Sequence, residues 1–505
     1  MAKTVQVLVI GAGPTGLTLA AELALAGVSC RVLERRDERS PWSRAFGLLP
    51  RSLELLDIRG HAGDFVAAGL PWTLAPLGDG RSWLDYRCLD SPFPYMLVIP
   101  QSTTEELLEN RAVKMGAEVV RGAQVTGMQQ HTSGVSVEVT DEAGVHIEEA
   151  DYVVGCDGIR SVTRSFAGIK FSGSPYDSSL IVADVALASP PEPEVHARTG
   201  RRGMVAVFPF GNGMYRLIVL DHERMKAGVD EPVTVAELTD SCLALLGFDP
   251  GIHSPEWMSR YRSEQRLSDT YRARRILLAG DAAHTHVPSG GQGLQTGIQD
   301  AMNLGWKLAG RVHGWASESV LDSYEAERLP IARATLRKTD MLYKFETSQS
   351  PPARALRWLS VRAAKLPPME KAVVAQLSGF TLRYPKPRRD ADHDLVGRRL
   401  PDATVRSRHN GSPARLYTAF HTGKFVLLDQ SPGGICAAAV RAAWPDRVTI
   451  VEAGRTDRHD WPEAILVRPD GYVAWAGNSA ATPDLRSVLG HWCGPAASTG
   501  HDRIR

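Results

Sequence analysis

Residues Val7–Arg35 read VLVIGAGPTGLTLAAELALAGVSCRVLER, and the order of parts within them decides the fold. The run VQVLVI, Val5–Ile10, is nearly continuously apolar, the pattern of a parallel strand covered on both faces. Gly11-Ala12-Gly13-Pro14-Thr15-Gly16 then matches G-x-G-x-x-G. Leu17, Ala20, Ala21, Ala24 and Leu25 recur at helical spacing, Gly27 stops the helix, and VSCRVLE forms a second strand ending at Glu34. In such a unit Gly11 permits the tight turn, Gly13 lets a pyrophosphate approach the backbone, and Gly16 lets helix and strand pack closely. The helix start offers free N–H groups and positive dipole to the phosphates. Glu34, eighteen positions after Gly16, is placed to accept from a ribose 2′-hydroxyl. A carboxylate there repels a 2′-phosphate, so FAD or NAD is expected rather than NADP.

A second glycine-rich turn, GDAAHTHVPSGGQGLQTG at Gly280–Gly297, comes after the apolar run Ile276–Ala279 and leads into another helix. Leu294, Ile298, Ala301, Leu304 and Leu308 share one face of that helix. Two such turns imply either two nucleotides or one long cofactor touched at two places. No further strand–G-x-G-x-x-G–helix unit exists. FGNGMYR at Phe210–Arg216 comes nearest, but its flanks alternate and Asn212-Gly213 is a hairpin turn signal, so this stretch is read as a β-hairpin.

The bulk properties set the frame. A chain of 505 residues exceeds one ordinary core, so two or three domains are expected. A net charge of +1 gives no reason to expect nucleic acid or an acidic membrane surface. The basic clusters Arg272–Arg275 and Lys386–Arg389 are read as solvated loops. The best membrane candidate, Leu17–Val28, is broken by Glu22, and a strand pattern starting at Val5 leaves no place for a signal peptide. Cys30, Cys88, Cys156, Cys242, Cys436 and Cys493 show neither metal spacing nor a disulfide framework, so a cytoplasmic setting is expected. HWCGPA around Cys493 resembles half a thioredoxin motif but lacks the second cysteine and the helix after it, and is read as coincidence.

YVVGCDGIRSVTR, Tyr152–Arg164, resembles the Asp-Gly motif of the single-component flavoprotein aromatic hydroxylases. RILLAGDAAHTHVPSGGQGLQTGIQDAMNLGWKLA, Arg275–Ala309, resembles their Gly-Asp motif together with the segment after it. The likeness runs through essentially the whole chain. It is strongest to the polyketide hydroxylase and rifampicin monooxygenase-like branch of the para-hydroxybenzoate hydroxylase superfamily. The resemblance implies one extended FAD served by both turns. Asp281 would hold the ribitol hydroxyls. The loop Pro288, Gly290, Gly291, Gln292, Gly293, Leu294 and Gln295 would face the isoalloxazine ring, with the helix dipole toward its N1–C2=O end. Arg44 would reach the pyrophosphate, Gln101 the cofactor, and Arg35 and the strand at Val125 the adenine end; Asp157 would serve FAD and the nicotinamide donor. Gln295 departs from the family pattern, where asparagine is commoner; the amide is kept one methylene longer.

The fold class implied is α/β: a Rossmann-like FAD-binding domain, an interleaved β-sheet substrate domain and a C-terminal thioredoxin-like domain. The expected boundaries are 1–72, 100–177 and 266–394 for the first with a helical extension, 73–99 and 178–265 for the second, and 395–505 for the third. Met204, Phe208, Phe210 and Tyr215 are the candidates for an aromatic substrate pocket, with Pro288 and Gly290 beneath, although strand alternation turns half of the former away. Residues Lys338 to about Leu382 read as helical, RYPKPRRDADHD as a linker, and KFVLLDQ, RVTIVEA and AILVRPDGYVAWAG as strands of a last domain without Cys-x-x-Cys. The family implies that NAD(P)H docks transiently and reduces FAD. O2 then yields a flavin C4a-hydroperoxide that hydroxylates a bulky aromatic, and the protein excludes water and positions the ring. No His/carboxylate pair is assigned an acid–base role; His284 and His286 are read as packing or backbone hydrogen-bonding residues. Ring-oxygen insertion of Baeyer–Villiger type, ring opening that inactivates an antibiotic, and a non-catalytic flavoprotein sequestering an aromatic ligand remain open. The other expectations are a monomer or homodimer, no metal, and no nucleic-acid or membrane partner.

Overall fold

The computed structural model describes residues 3–40, 45–287, 289–385 and 393–497. The linker reading at Arg383–Asp394, the cluster Lys386–Arg389, and the candidates Arg44 and Pro288 lie wholly or partly outside the described residues.

The opening stretch folds as strand Lys3–Ile10, helix Pro14–Leu25 and strand Cys30–Glu34. Both strands belong to a sheet ordered Arg272–Ala273, Ile276–Leu278, Gly144–Gly155, Lys3–Ile10, Cys30–Glu34, Glu118–Arg121. Its core is parallel, and Val7, Leu8, Val9, Leu277 and Leu278 are wholly buried, since both faces are covered: Val7 and Val9 pack toward helix Pro14–Leu25, and Leu8 toward strands Gln124–Gln130 and Val135–Asp141. Register does the decisive work. Ile10 is paired with Gly155, and Gly155 with Leu278. Three strands therefore end in one row. The Gly11 turn, the Cys156-Asp157-Gly158 stretch and the Ala279-Gly280-Asp281 turn leave the sheet side by side, where open α/β sheets bind ligands.

A second, antiparallel sheet runs His196–Thr199, Gly203–Pro209, Met214–Asp221, Phe171–Leu187, Ile252–Ser268, His284–Thr285. The expected hairpin is present, with Pro209 opposite Tyr215 and left-handed Gly211 and Gly213 at its turn. Val205, Val207, Leu217 and Tyr215 pack on one face against Leu238, Cys242, Leu245 and Leu246 of helix Val235–Leu246. The opposite face, with Met204, Ala206, Phe208 and Ile218, turns to the nucleotide-binding half. Residues 73–99 form small sheets apart from this one.

Helix Gln292–Val312 crosses the middle of the molecule and is buried almost all round. Helix Glu318–Thr347 comes next, then Pro351–Ala364 and Pro367–Leu377. The Arg272–Arg275 stretch is not a solvated loop. Arg272 and Ala273 form an edge strand, and Arg272 binds Asp322 at 2.5 Å and also Glu318 at the start of the long helix.

The last domain is a six-stranded sheet in which Phe425–Asp429 and Val448–Thr456 run parallel, joined through helix Ile435–Arg441. Ala464–Val467 and Val473–Gly477 close it as the expected hairpin. The Pro469-Asp470-Gly471 turn of that hairpin enters the first domain, where Arg51 donates to the Asp470 carbonyl at 3.0 Å and Arg59 to the Pro469 carbonyl at 2.9 Å. Arg468 binds Glu327 of the long helix at 2.6 Å, and Lys307 binds the same carboxylate at 2.7 Å. Cys493 is wholly buried at the end of the final helix, which supports reading HWCGPA as coincidence.

Candidate active site

A cavity of 1930 Å³ lies where the strand ends meet the second sheet. Gly11, Gly13, Pro14 and Thr15 line it, as do Glu34, Arg35, Gln101, Val125, Asp157, Asp281 and the residues from Gly290 to Gln295. The structure thus brings nearly all the sequence candidates into one wall. Pockets for one ligand run to about 300–1,000 Å³, so this volume exceeds what a single ordinary ligand needs.

The glycines of the first turn divide by role. A Cβ on Gly16 would meet the Gly11 carbonyl oxygen at 2.0 Å, and one on Gly11 the Cys156 carbonyl oxygen at 2.6 Å, so both serve internal packing. Gly13 has nothing within 4 Å of such a Cβ and faces the cavity. Helix Pro14–Leu25 begins there with no side-chain cap, leaving its first N–H groups for an anion. Glu34 accepts from the Ala12 N–H at 2.9 Å, which pins the carboxylate across the turn.

The second turn packs against the first. A Cβ on Gly280 or Gly297 would meet the Thr15 hydroxyl oxygen at 2.5 or 2.2 Å. Asp281 stands beside Gly293, its Oδ1 3.9 Å from where a Cβ would sit. Helix Gln292–Val312 also starts without a side-chain cap, behind left-handed Gly290 and Gly291. Two uncapped helix starts, a pinned ribose-type acid and an open glycine backbone in one cavity fit a dinucleotide bound once, in extended form.

Several candidates carry structural duties as well. Asp157 accepts from Ser161 Oγ at 2.6 Å and from Thr163 N and Oγ1 at 3.1 Å, so its carboxylate holds the loop and short helix after it. Gln101 accepts from Ala45 N at 3.0 Å and donates to Glu105 at 2.7 Å. Gln295 spends its amide on protein: it accepts from Leu49 N at 3.2 Å and Ser52 Oγ at 2.5 Å, and donates to the Gly47 carbonyl at 2.9 Å. The amide thus ties the central helix to the 47–52 segment.

Met204 and Phe208 line the cavity on the sheet side with Leu180, Val182, Trp257 and Tyr261. Tyr215 faces the other way, bonded to Glu194 at 2.6 Å. Phe210 is outside the lining; its ring lies 5.4 Å from the Arg216 guanidinium, beyond the hairpin's wall-forming part.

Two titratable features went unread in the sequence. Glu346, near the end of the long helix, accepts from Ser289 Oγ at 3.0 Å in the cavity wall, and burial pushes its carboxyl up to about 7. The reading of His284 and His286 as packing or backbone-bonded is corrected: a His/carboxylate pair is present. His284 is wholly buried, with Nε2 2.6 Å from Asp300 and Nδ1 3.0 Å from His286 Nε2. Asp300 also binds Arg328 at 2.7 Å and the Gly280 N–H at 3.1 Å. The His-x-His spacing was the available signal, but its carboxylate partner lies on the next helix, sixteen residues away.

Both glycine-rich turns and one face of the second sheet border a single cavity, an arrangement suited to nucleotide binding. Residues 4–339 match the FAD binding domain family, and residues 393–496 match the aromatic-ring hydroxylase C-terminal family. The 12-dehydrotetracycline 5-monooxygenase/anhydrotetracycline 6-monooxygenase of Streptomyces rimosus is 38% identical, over 97% of this chain and 99% of its own. Rifampicin monooxygenase of Streptomyces venezuelae is 37% identical, over 98% of this chain and 99% of its own. The solved structure of the OxyS anhydrotetracycline hydroxylase from Streptomyces rimosus superposes with a TM-score of 0.88 at 37% identity, covering 98% of this chain and 100% of that one. The chain belongs to the FAD-dependent aromatic-ring monooxygenases.

Proposed function

We propose that this monooxygenase hydroxylates a polycyclic, polyketide-type aromatic, with NAD(P)H as a transiently docked electron donor. The observation that carries this reading is the shared cavity. A cradle fitting FAD opens directly into an apolar chamber under the second sheet, with room for both occupants. The resemblance to tetracycline- and rifampicin-acting monooxygenases points to the same substrate class.

In this reading the first helix start and Gly13 bind the pyrophosphate, Glu34 the adenosine ribose, Arg35 and the Val125 strand the adenine end, and Asp281 the ribitol. Gly291–Gln295 and their helix start face the ring, and Phe208 with Met204 grips the substrate. Bound flavin supplies the electron transfer and oxygen activation. The chain's own part is to orient the two rings and exclude water, with Leu180, Val182 and Phe208 forming an apolar stretch of the wall. The roof strands extend to Phe171 and Ser268, past the limits 178 and 265 expected from sequence, and residues 73–99 stand in separate small sheets beside them. Six free cysteines suit a reducing cytoplasm.

The test is NAD(P)H oxidation by the purified yellow protein in air, with and without a panel of polyketide aromatics and rifamycins, and then mass analysis of the products. A compound that accelerates oxidation and gains one oxygen atom supports the reading. Fragmentation of that product then separates ring hydroxylation from oxygen insertion. Tight ligand binding with no NAD(P)H consumption across the panel would replace it with a sequestering flavoprotein.

A further inference from the structure

The long helix Glu318–Thr347 ends in the cavity wall, and the flavin cradle makes no use of its last carboxylate. Glu346 Oε2 accepts from Ser289 Oγ at 3.0 Å. Oε1 has no hydrogen-bond partner among the described residues. It is not one of the orphaned atoms sealed in the interior, so it keeps surface open to the cavity. Its neighbours in the wall are apolar: Leu342 and Leu377 each come within 3.9 Å of where a Cβ on Gly290 would sit, next to Ser289.

The cations nearby are committed elsewhere. Arg357 Nη1 donates to the Phe345 carbonyl at 2.8 Å and to the Glu346 carbonyl, and its Nη2 donates to the Ser348 carbonyl at 3.1 Å. Lys344 pairs with Asp340 at 2.9 Å. Among the described residues no cation is paired with the Glu346 carboxylate, whereas the lining's Glu105 accepts from Gln101 at 2.7 Å and its Glu264 holds Arg266 at 2.7 Å. A carboxylate in an apolar wall without a counter-charge is held at a cost, which a cationic ligand removes.

We infer that Glu346 is the anchor for a protonated amine carried by the molecule bound in the cavity, so that the chamber selects aromatics bearing a basic nitrogen. The inference rests on the aromatic-substrate reading above and narrows it. Ser289 keeps Oε2, the ammonium N–H donates to Oε1, and the apolar body lies along Leu342 and Leu377. A hydroxyl could fill the same oxygen but brings no charge. Burial pushes the carboxyl up to about 7, and Ser289 and Arg357 draw it only partly back. The ammonium pairs with the ionised form, and the acid form releases its proton to water as the amine enters. The other titratable and charged groups on the elements packed here are Tyr343, bonded to Ser178 and raised by burial, Lys344, Arg354 and Arg357, His222 against the Thr347 carbonyl at 3.1 Å, and His286, held low by burial and His284.

Three anthracenes differing only at carbon 9, which bears aminomethyl, hydroxymethyl or methyl, test this on the full flavin-loaded chain. Quenching of their emission by the flavin reads binding. At pH 8 the wild type should hold the aminomethyl compound about tenfold or more tighter than the methyl compound. Its dissociation constant should fall about tenfold from pH 6 to pH 8, as the carboxyl titrates through about 7. In Glu346→Gln both effects should vanish while the methyl compound binds as before. That variant keeps His222, so any pH response due to His222 persists there. A hydroxymethyl compound bound as tightly as the aminomethyl one would overturn the inference, as would a flat pH response in wild type or an amine preference that survives in Glu346→Gln. A variant that loses the methyl compound too is damaged, and the wild-type pH response then decides. Binding of none of the three counts against the polycyclic-aromatic reading instead, and single-ring probes decide the anchor alone. Benzylammonium should then raise the wild-type unfolding temperature more than benzyl alcohol does, and only while Glu346 is present; equal shifts overturn the inference.

Discussion

Gly13 and Gly16 sit three residues apart in one turn yet answer to different constraints. At Gly13 an added Cβ enters open space on the cavity wall, at an ordinary φ of −79°. Gly13→Ala is therefore expected to fold normally, with an unfolding temperature within about a degree of wild type. Its FAD affinity should drop by roughly tenfold or more, since a 1.4 kcal/mol loss suffices. At Gly16 the same methyl strikes the Gly11 carbonyl oxygen, so Gly16→Ala should lose both stability and bound flavin. Flavin absorbance after desalting, beside thermal unfolding, separates the two. Gln295 belongs to this scale too. Gln295→Leu strands the Ser52 hydroxyl and the Gly47 carbonyl, at a cost of about 1–3 kcal/mol in denaturant unfolding.

The central helix and the long helix after it carry the charge chemistry. Asp300 lies on the first and Arg328 on the second, and their contact locks the helices together. Its folded pKa of about 2 lies below that of a free aspartate, about 3.9. The stability it confers is complete above about pH 4 and is lost as pH falls through about 2. Asp300→Asn leaves Arg328 without its counter-charge and should cost about 3–5 kcal/mol at neutral pH. The difference from wild type should shrink as the pH approaches 2, as measured by denaturant titration across that range. Glu346 has the opposite sign. Its folded pKa, raised to about 7, means that an unfolded chain ionises first, so the residue lowers stability progressively from about pH 4.5 up to 7. Glu346→Gln should melt above wild type at pH 8 and equal it near pH 4, measured by calorimetry. A rise absent at pH 8 would remove the buried-acid assignment.

For the whole molecule, the last domain is an integral support. Glu327, Lys307, Arg468 and Asp470 are buried together between the domains, with Asn303 bonded to both carboxylates. Glu327 has its carboxyl held down to about 2 by Arg468 and Lys307, so this junction too should loosen only in strong acid. Removing residues 395–505 would uncover Lys307, Arg51 and Arg59 along with the apolar surface around them. A chain ending at Asp394 is expected to be insoluble or flavin-free when expressed. Arg468→Met should lower unfolding stability by about 3–5 kcal/mol while leaving the flavin cradle in place. If that variant unfolds like wild type, the junction is ornamental.

Features that depend on local order were legible in the chain alone. Strand, glycine turn, helix, strand and acid appear consecutively from Val5 to Glu34, and period-two alternation around Asn212-Gly213 declares a hairpin. Local hydrogen bonding and side-chain periodicity specify both, so neighbours in the chain suffice to read them. Family resemblance then joined the two turns to one FAD. Features that depend on residues far apart in sequence emerged only from the folded arrangement. Which hairpin side chains face the cavity was settled by helix Val235–Leu246 covering the Tyr215 face. That Gln295 clamps Gly47 and Ser52 needed a contact across more than two hundred residues. The polar residues Asp300, Asn303 and Lys307 look solvent-facing on a helix bearing an apolar stripe, because periodicity reports only one neighbouring layer. Layers on every side bury them, and low-dielectric surroundings turn ordinary residues into paired ions.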